Sequence, residues 1–423
     1  MGENVFQILK ERGFIYQTTD DKAIDQLLKS KKVTCYIGFD ATADSLHVGS
    51  LVPIMALAHM QRGGHRPIAL LGGGTTMVGD PSGKTEMRQI LSIDDINIFG
   101  EGIKKQFSHY IDFKEDKALM LNNAEWLLPL NYIEFLRDIG VHFSINRMLT
   151  AESVKSRLET GLSFIEFNYM LLQAYDFYVL ARDYDCFLQM GGQDQWGNIV
   201  AGSDLTRRKL GKQVYGMTFP LITTSGGEKF GKSAGNAIWL DGKKTSPYEF
   251  YQYWRNIDDR DVENYFGIFT FLPMEEVKRL PKENINRAKE ILAFEVTRLA
   301  HGKDAAIESY TAAVKQFGQG DPDGKVKTCS EVTEIQLDQD SSLPTVELPK
   351  QLLEDGIWVA KLFVDSGLCA SNSEAKRLIK QGGASINEKK VINEFLEVTS
   401  DQLIDGVLVL RAGKKRHKRI VFV

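Results

Sequence analysis

The stretch Val33-Thr-Cys-Tyr-Ile-Gly-Phe-Asp-Ala-Thr-Ala-Asp-Ser-Leu-His-Val-Gly-Ser50 begins as a strand and ends as the start of a helix. Val33 to Ile37 is β-branched, aromatic or small and apolar, the composition of a short buried strand. Asp40 to Ser50 is small and polar. From Gly49 to Gln61 the apolar spacing suits a helix. Pro67-Ile-Ala-Leu-Leu71 reads as the next strand, stopped by Gly72-Gly-Gly74. Further along, Phe164 to Ala181 predicts a helix, and Cys186-Phe-Leu-Gln-Met190 a strand stopped by Gly191-Gly192. Strands alternating with helices predict an α/β domain over residues 1–220, its parallel sheet covered on both faces. Such sheets take ligands beyond the carboxyl ends of their strands, where glycines stand in this chain.

Tyr248 to Phe317 has a mainly helical pattern, so 221–318 predicts a helical domain. Residues 319–350 turn polar and acidic, with Asp321-Pro-Asp-Gly324, Ser341-Ser-Leu-Pro344 and Pro349, the composition of a linker. Residues 351–423 are left as a small separate α+β module. The chain has 423 residues, 43% hydrophobic and 26% charged, ordinary for a soluble protein of two or three domains. The longest apolar run, Leu51 to Met60, is about half a membrane span. The start carries no basic-then-apolar leader, so a cytoplasmic protein without a membrane partner is expected. Cys35, Cys186, Cys329 and Cys369 form no CxxC pair. That argues against a disulfide framework and a zinc site, and no metal site is expected.

The net charge of −4 conceals an asymmetry. Residues 351–423 hold 12 Lys+Arg against 9 Asp+Glu, a net of +3, which leaves −7 for residues 1–350. Arg411-Ala-Gly-Lys-Lys-Arg-His-Lys-Arg419 carries six cations and no acid. Strand-like segments flank it, Val407 to Arg411 and Ile420 to Val423, with Gly413 between. A basic hairpin that holds its charges on a folded surface is expected, the footprint of a nucleic-acid partner.

Five segments carry chemistry. Asp40 to Ser50 offers Thr42 and His47 beside Gly49 at a helix start, a place for phosphate oxygens. Gly226-Gly-Glu-Lys-Phe-Gly-Lys-Ser233 sets two lysines three apart in a glycine-rich loop, able to converge on a polyphosphate; it is no Walker motif. Tyr169, Gln173 and Asp176 share one helix face at spacings of four and three. Gln189-Met-Gly-Gly-Gln-Asp-Gln-Trp-Gly197 pairs backbone suited to a flat base with Asp194 for ribose hydroxyls. Gly79-Asp-Pro-Ser-Gly-Lys84 is a turn able to present Asp80 to a cation. Each alone is also readable as an ordinary loop, cap or amphipathic face.

Taken in order and spacing, the five resemble the class I aminoacyl-tRNA synthetases, and closely the bacterial tyrosyl family. His47-Val-Gly-Ser50 resembles the HIGH element and Lys229-Phe-Gly-Lys-Ser233 the KMSKS loop. Tyr36-Ile-Gly-Phe-Asp40, Gly79 to Lys84, Tyr169…Gln173…Asp176 and Gly191 to Gly197 resemble the tyrosine and adenylate pocket. Ala375-Lys-Arg-Leu-Ile-Lys-Gln-Gly-Gly383 with Ser385-Ile-Asn387 resembles an alpha-L RNA-binding domain. The resemblance implies a Rossmann-like catalytic domain, then an α-helical domain, then the RNA-binding module. It implies activation of L-tyrosine by ATP and transfer to tRNA(Tyr). Mg²⁺ would accompany ATP without a protein cage.

The implied catalytic set is Thr42, His47, Ser50, Lys84, Arg88, Lys229, Lys232 and Ser233. Tyrosine would meet Tyr36, Asp80, Tyr169, Gln173, Asp176 and Gln195. ATP would meet Gly38, Asp40, His47, Gly49, Gly191, Gly192, Asp194 and Lys232. RNA would meet Lys376, Arg377, Lys414, Lys415, Arg416, Lys418 and Arg419. A homodimer is implied, with the apolar Asn122–Phe167 region as its insertion. Three positions depart from the family pattern: Ser50 where HIGH has His, Ile37 where Cys is common, and Ala41 where Pro is frequent. Somewhat weaker ATP binding is expected from them. Other readings are a tryptophanyl-type synthetase, a nucleotidyltransferase acting on a small metabolite, and a non-catalytic RNA-binding protein. Retention of both lysines, Asp80 and Asp194 counts against the last.

Overall fold

The computed structural model describes residues 4–81, 92–151, 154–155, 158, 161–226, 230–233, 236–335, 345–354, 356–387, 389–404, 406–413 and 416–423. Its first sheet has six strands: β1 (Gln17–Thr18), β2 (Thr34–Phe39), β3 (Arg66–Leu71), β4 (Leu119–Asn122), β5 (Cys186–Gly192) and β6 (Tyr215–Phe219). They lie in the order β1-β6-β5-β2-β3-β4. All neighbours are parallel except the β1–β6 pair. From β2 the chain winds outward through β3 and β4. It then returns to the other side of β2 as β5 and β6. The winding therefore reverses between β2 and β5, and the crevice beyond their carboxyl ends is where such sheets bind ligands.

Local sequence explains these elements. In β2 every residue but Gly38 is buried, as a central parallel strand requires. The apolar run from Leu51 is a buried helix, Leu51–Arg62, entered through a 3-10 turn at Val48–Ser50. The helix expected over Phe164–Ala181 is two: Phe164–Phe167, capped by the Ser163–Glu166 box, and Tyr169–Asp183. At the junction the Asn168 amide donates to the Phe164 carbonyl at 2.7 Å, competing with the helical ladder. Gly191 and Gly192 do not stop β5 as expected. They remain in it, paired with Thr218 and Phe219 of β6.

The helical part runs Pro247–Arg255, Val262–Phe269, Met274–Glu283, Ile285–His301 and Lys303–Phe317. Ser246 opens it with a capping box to Glu249, and Pro247 sits at the first helical position. These helices share one core with the sheet.

The segment expected as a linker over 319–350 is largely not one. Asn284 donates to the Gly320 carbonyl at 2.9 Å, and the Gly320 N–H donates to Glu290 at 2.8 Å. Cys329 N–H reaches Glu276, and Ser330 reaches Glu295 at 2.5 Å. Its polar residues are thus partners for carboxylates of the helices rather than a solvated tether. At the other end Thr345–Leu348 is a strand pairing in parallel with Arg416–Phe422. Only 336–344, outside the described residues, is left between the two attachments.

Glu290 is fully buried, with Arg287 at 3.1 Å and Arg255 at 3.6 Å. Removing one partner of such a cluster leaves buried charge uncompensated. Glu290→Ala is expected to cost about 3–5 kcal/mol of stability. Chemical denaturation would show it as a lower midpoint at unchanged slope; a midpoint equal to the parent's would refute it.

The C-terminal module has its own core, drawn from Leu348 to Phe422. Helices Val359–Asp365 and Asn372–Lys380 accompany a five-stranded sheet. Its order is Lys389–Lys390, Ala384–Ile386, Val407–Ala412, Arg416–Phe422, Thr345–Leu348. The basic hairpin is present, with Arg411 opposite His417 and Val409 opposite Arg419. Its cations are divided between the two faces of the strand, because strand side chains alternate. Arg416 and Lys418 share the face of buried Ile420 and Phe422, and Arg419 takes the other. Lys414 and Lys415 lie outside the described residues.

Candidate active site

A cavity of about 420 Å³ opens at the β2–β5 switch point. β2 contributes Tyr36 to Phe39 with Asp40 beyond it, and β5 contributes Gln189 to Gly192. Tyr169, Gln173 and Asp176 face it from one side of their helix, as their spacing predicts. His47, Gly49, Ser50, Asp80, Asp194 and Gln195 complete the expected lining. Thr42 is exposed and lies outside the lining residues, its N–H on the Asp40 carbonyl at 3.0 Å.

The floor is built around two buried groups. The Tyr36 hydroxyl finds no hydrogen-bond partner among the described residues. Asp176 accepts from Asn123 Nδ2 at 3.0 Å and from Trp126 Nε1 at 2.7 Å. Burial pushes its carboxyl up to about 7, against the pull of those two donors, and Asp40 adds repulsion. Asn123 is itself held, donating to Thr75 Oγ1 at 3.0 Å and accepting from the Gly74 N–H at 2.8 Å. Gln189 sits opposite Tyr36 across the β2–β5 register. Its Oε1 is buried and also has no partner among the described residues. A buried phenol and amide oxygen without partners imply a polar guest that supplies them.

Along one wall runs a chain of polar groups. Gln195 Nε2 donates to Asp80 at 2.6 Å. Asn198 Nδ2 donates to Gln195 Oε1 at 3.2 Å and to Gln173 Oε1 at 3.0 Å. This wall offers acceptors suited to a cationic group. Burial raises the carboxyl of Asp194 at the β5 end.

At the mouth, His47 Nδ1 accepts from the Gly49 N–H at 2.9 Å. In the neutral imidazole the proton then sits on Nε2. A side chain at position 49 would meet that ring at 2.7 Å, so only glycine lets the imidazole fold back here. The lysine-bearing loop is docked on this segment. Ile238 N–H donates to the Gly231 carbonyl, Val48 N–H to the Ile238 carbonyl, and Leu240 N–H to the Leu46 carbonyl. Gly231, at φ 84°, brings its own backbone so near that a Cβ would stand 3.1 Å from Gly49 N. Phe230 is clamped by the helical part: stacked on Phe269 at 5.2 Å, and edge-on to Tyr253, Trp254 and Tyr265. The Tyr253 hydroxyl accepts the Gly231 N–H at 3.0 Å. Lys84, Arg88 and Lys229 lie outside the described residues, as do the side chains of Lys232 and Ser233.

Asn123, Trp126 and Asn198 belong to the site but to none of the five segments, and Gln189 opens the fourth without having been assigned a role. Asn198 follows Gln195 by three, a helical spacing that would have pointed to it. Asn123 and Trp126 follow β4, a strand with no glycine stop to mark its carboxyl end.

Comparisons with known proteins match the chain to one family. The family model described as tRNA synthetases class I (W and Y) matches residues 28–318. The model of the Tyrosine--tRNA ligase SYY-like C-terminal domain matches residues 334–420. The Tyrosine--tRNA ligase of Desulfosudis oleivorans is 54% identical, over 99% of each chain. That of Clostridium tetani is 52% identical, over 100% of each. A solved structure, the C-terminally truncated mitochondrial tyrosyl-tRNA synthetase of Aspergillus nidulans, matches with a TM-score of 0.66 and 32% identity. That match covers 74% of this chain and 93% of the other.

Proposed function

The chain belongs to the class I tRNA synthetase family of the tryptophan and tyrosine enzymes, and on that premise we propose how its residues carry the reaction. It is a ligase that activates L-tyrosine with ATP, giving tyrosyl-adenylate and pyrophosphate, and then transfers tyrosine to tRNA. The substrate's own carboxylate attacks the α-phosphate, so the protein supplies position and charge stabilisation rather than a nucleophile.

The tyrosine phenol enters the floor of the cavity. There it accepts from the Tyr36 hydroxyl and donates to Asp176. Phenylalanine would leave the buried Tyr36 hydroxyl without a partner and deny Asp176 a third donor beside Asn123 and Trp126, a loss of the kind that costs most. The ammonium meets Asp80, Tyr169 and Gln173, with Gln195 beside the carboxylate. The adenylate lies over Gly38, Gly191 and Gly192, with Asp194 on the ribose and Asp40 nearby. His47, with Thr42 on the rim and Ser50 behind it, faces the phosphates. Lys229 and Lys232 neutralise the leaving pyrophosphate, with Ser233, Lys84 and Arg88 as accessory groups.

Mg²⁺ arrives as part of the nucleotide substrate, held by phosphates and water. Among the described residues no cluster of three or more His, Cys, Asp or Glu stands ready to cage an ion. A cytoplasmic place suits an enzyme of tRNA and ATP with four free cysteines. Among the described residues no helix is long and apolar enough to cross a membrane. Homodimerisation through the 122–167 region is supported by Ile133, Val141, Ile145 and Phe164, all exposed there. Sedimentation of the full chain tests it.

The observation that carries the tyrosine reading is the buried pair of Tyr36 and Asp176 at the closed end of the cavity. Amino-acid-dependent pyrophosphate exchange with tyrosine, tryptophan and phenylalanine tests it. Exchange with tryptophan but not tyrosine would overturn it.

A pH prediction arises from the same pair. Ionised Asp176 is the stronger acceptor for the phenol proton, and burial pushes its carboxyl up to about 7. The ionised fraction falls as pH drops through that value, so KM for tyrosine should rise by up to about tenfold between pH 8 and pH 6. KM for ATP should move much less. Asp176→Asn should lower kcat/KM for tyrosine by on the order of 10²-fold and abolish this dependence. A flat tyrosine KM in the parent would count against the assignment.

A further inference from the structure

The loop 391–396 of the C-terminal module presents two large apolar side chains to solvent, Ile392 at 89% and Phe395 at 66% exposure. A flexible loop could do this by accident, but this one is fixed. Val391 is buried, and its N–H bonds the Ala384 carbonyl. The Phe395 N–H donates to Asn393 Oδ1 at 3.0 Å. The Trp358 indole N–H donates to the Glu394 carbonyl at 2.6 Å, and Val359 N–H to the Leu396 carbonyl at 2.8 Å. An aromatic ring held outward on a rigid frame has already met the ordering cost of binding.

The surroundings decide what it is for. The Lys376 ammonium lies between two rings, 5.0 Å from the Trp358 centroid and 5.5 Å from that of Phe395. Lys389 and Lys390 are exposed just ahead of the loop, and Lys380 beside it pairs with Glu394 at 3.0 Å. Glu397 is the exposed acid at the border. A bare ring among ammonium groups matches the two parts of a nucleotide, a flat base to stack and a phosphate to neutralise.

We infer that Phe395, with Ile392 and the ring-held Lys376, forms a stacking platform for an unpaired base of the bound tRNA. The inference rests on the reading of this module as RNA-binding and names a place in it that the basic hairpin does not include. Stacking is worth about 1–3 kcal/mol per base, so Phe395→Ala should weaken tRNA(Tyr) binding roughly 5- to 150-fold.

The test is the dissociation constant of the full chain for a tRNA(Tyr) transcript, at fixed salt, for F395A, F395W and the double variant R377E/R411E. The calorimetric transition of the C-terminal module, whose core is separate from that of the catalytic body, reports whether each is folded. Weak binding by F395A with affinity restored in F395W supports the platform. Parent-like binding by F395A overturns it, as does equal weakness of F395A and F395W. If R377E/R411E weakens binding while F395A does not, the platform falls and the RNA reading of the module stands. If neither weakens it, both fall. A change of oligomeric state in F395A at unchanged tRNA affinity marks a protein contact and also overturns it.

Discussion

Replacing His47 by alanine is expected to lower kcat for tyrosine-dependent pyrophosphate exchange by about 10²–10³, the usual loss for one preorganised donor at a developing charge. No group of the protein becomes covalently attached in this step, so a lost donor cannot be offset by a slower route through a neighbour. KM for tyrosine should stay put, since His47 stands at the mouth and the phenol at the floor. The substitution has a second consequence that must be separated. His47 Nδ1 caps the 3-10 turn by accepting the Gly49 N–H. Losing a cap costs about 1 kcal/mol of stability. His47→Asn can keep a capping oxygen while changing the donor's reach, so it should be as stable as the parent and still slow. A kcat within threefold of the parent's in both variants would remove His47 from the reaction.

Deleting residues 345–423 is expected to lower tRNA charging by at least two orders of magnitude while leaving pyrophosphate exchange within a few-fold of the parent. The cut belongs at 345, because Thr345–Leu348 is a strand of the module's sheet and would otherwise be left as an unpaired edge. The body that remains loses no member of its own core. Its net charge is −7, and an acidic surface repels a polyphosphate backbone. Phosphate contacts dominate nucleic-acid affinity, and losing several at once multiplies their effects. Charging by the shortened chain at the parental rate would show that the module has no part in tRNA binding. Loss of exchange would show that the body depends on it.

The two active-site strands were legible because each is a short apolar run that ends on polar or glycine residues. Tyr169, Gln173 and Asp176 were legible as a face because three- and four-residue spacing on a helix is geometry rather than context. Asn123 and Trp126 were not. Each is an ordinary residue in its own neighbourhood, and both acquire a role only because β4 ends beside the helix that bears Asp176. The same limit explains the mistaken linker. Polar composition over 319–335 says that the segment needs partners, but not whether water or the buried carboxylates of Glu290 and Glu295 provide them. In the basic strand, charge density was visible, yet period-two alternation divides Lys418 from Arg419, and a count of charges does not register direction.

Two cores that share no residue make two cooperative units, so a single melting temperature will not describe this chain. The module's core is the smaller, and smaller units bury a lesser fraction of their surface. Its melting should come first in a calorimetric scan. In the interval between the two transitions the chain would still spend ATP on tyrosine while failing to hold the acceptor. Mild heating should therefore uncouple nucleotide consumption from aminoacylation before it abolishes either the sheet or the chemistry at its carboxyl edge.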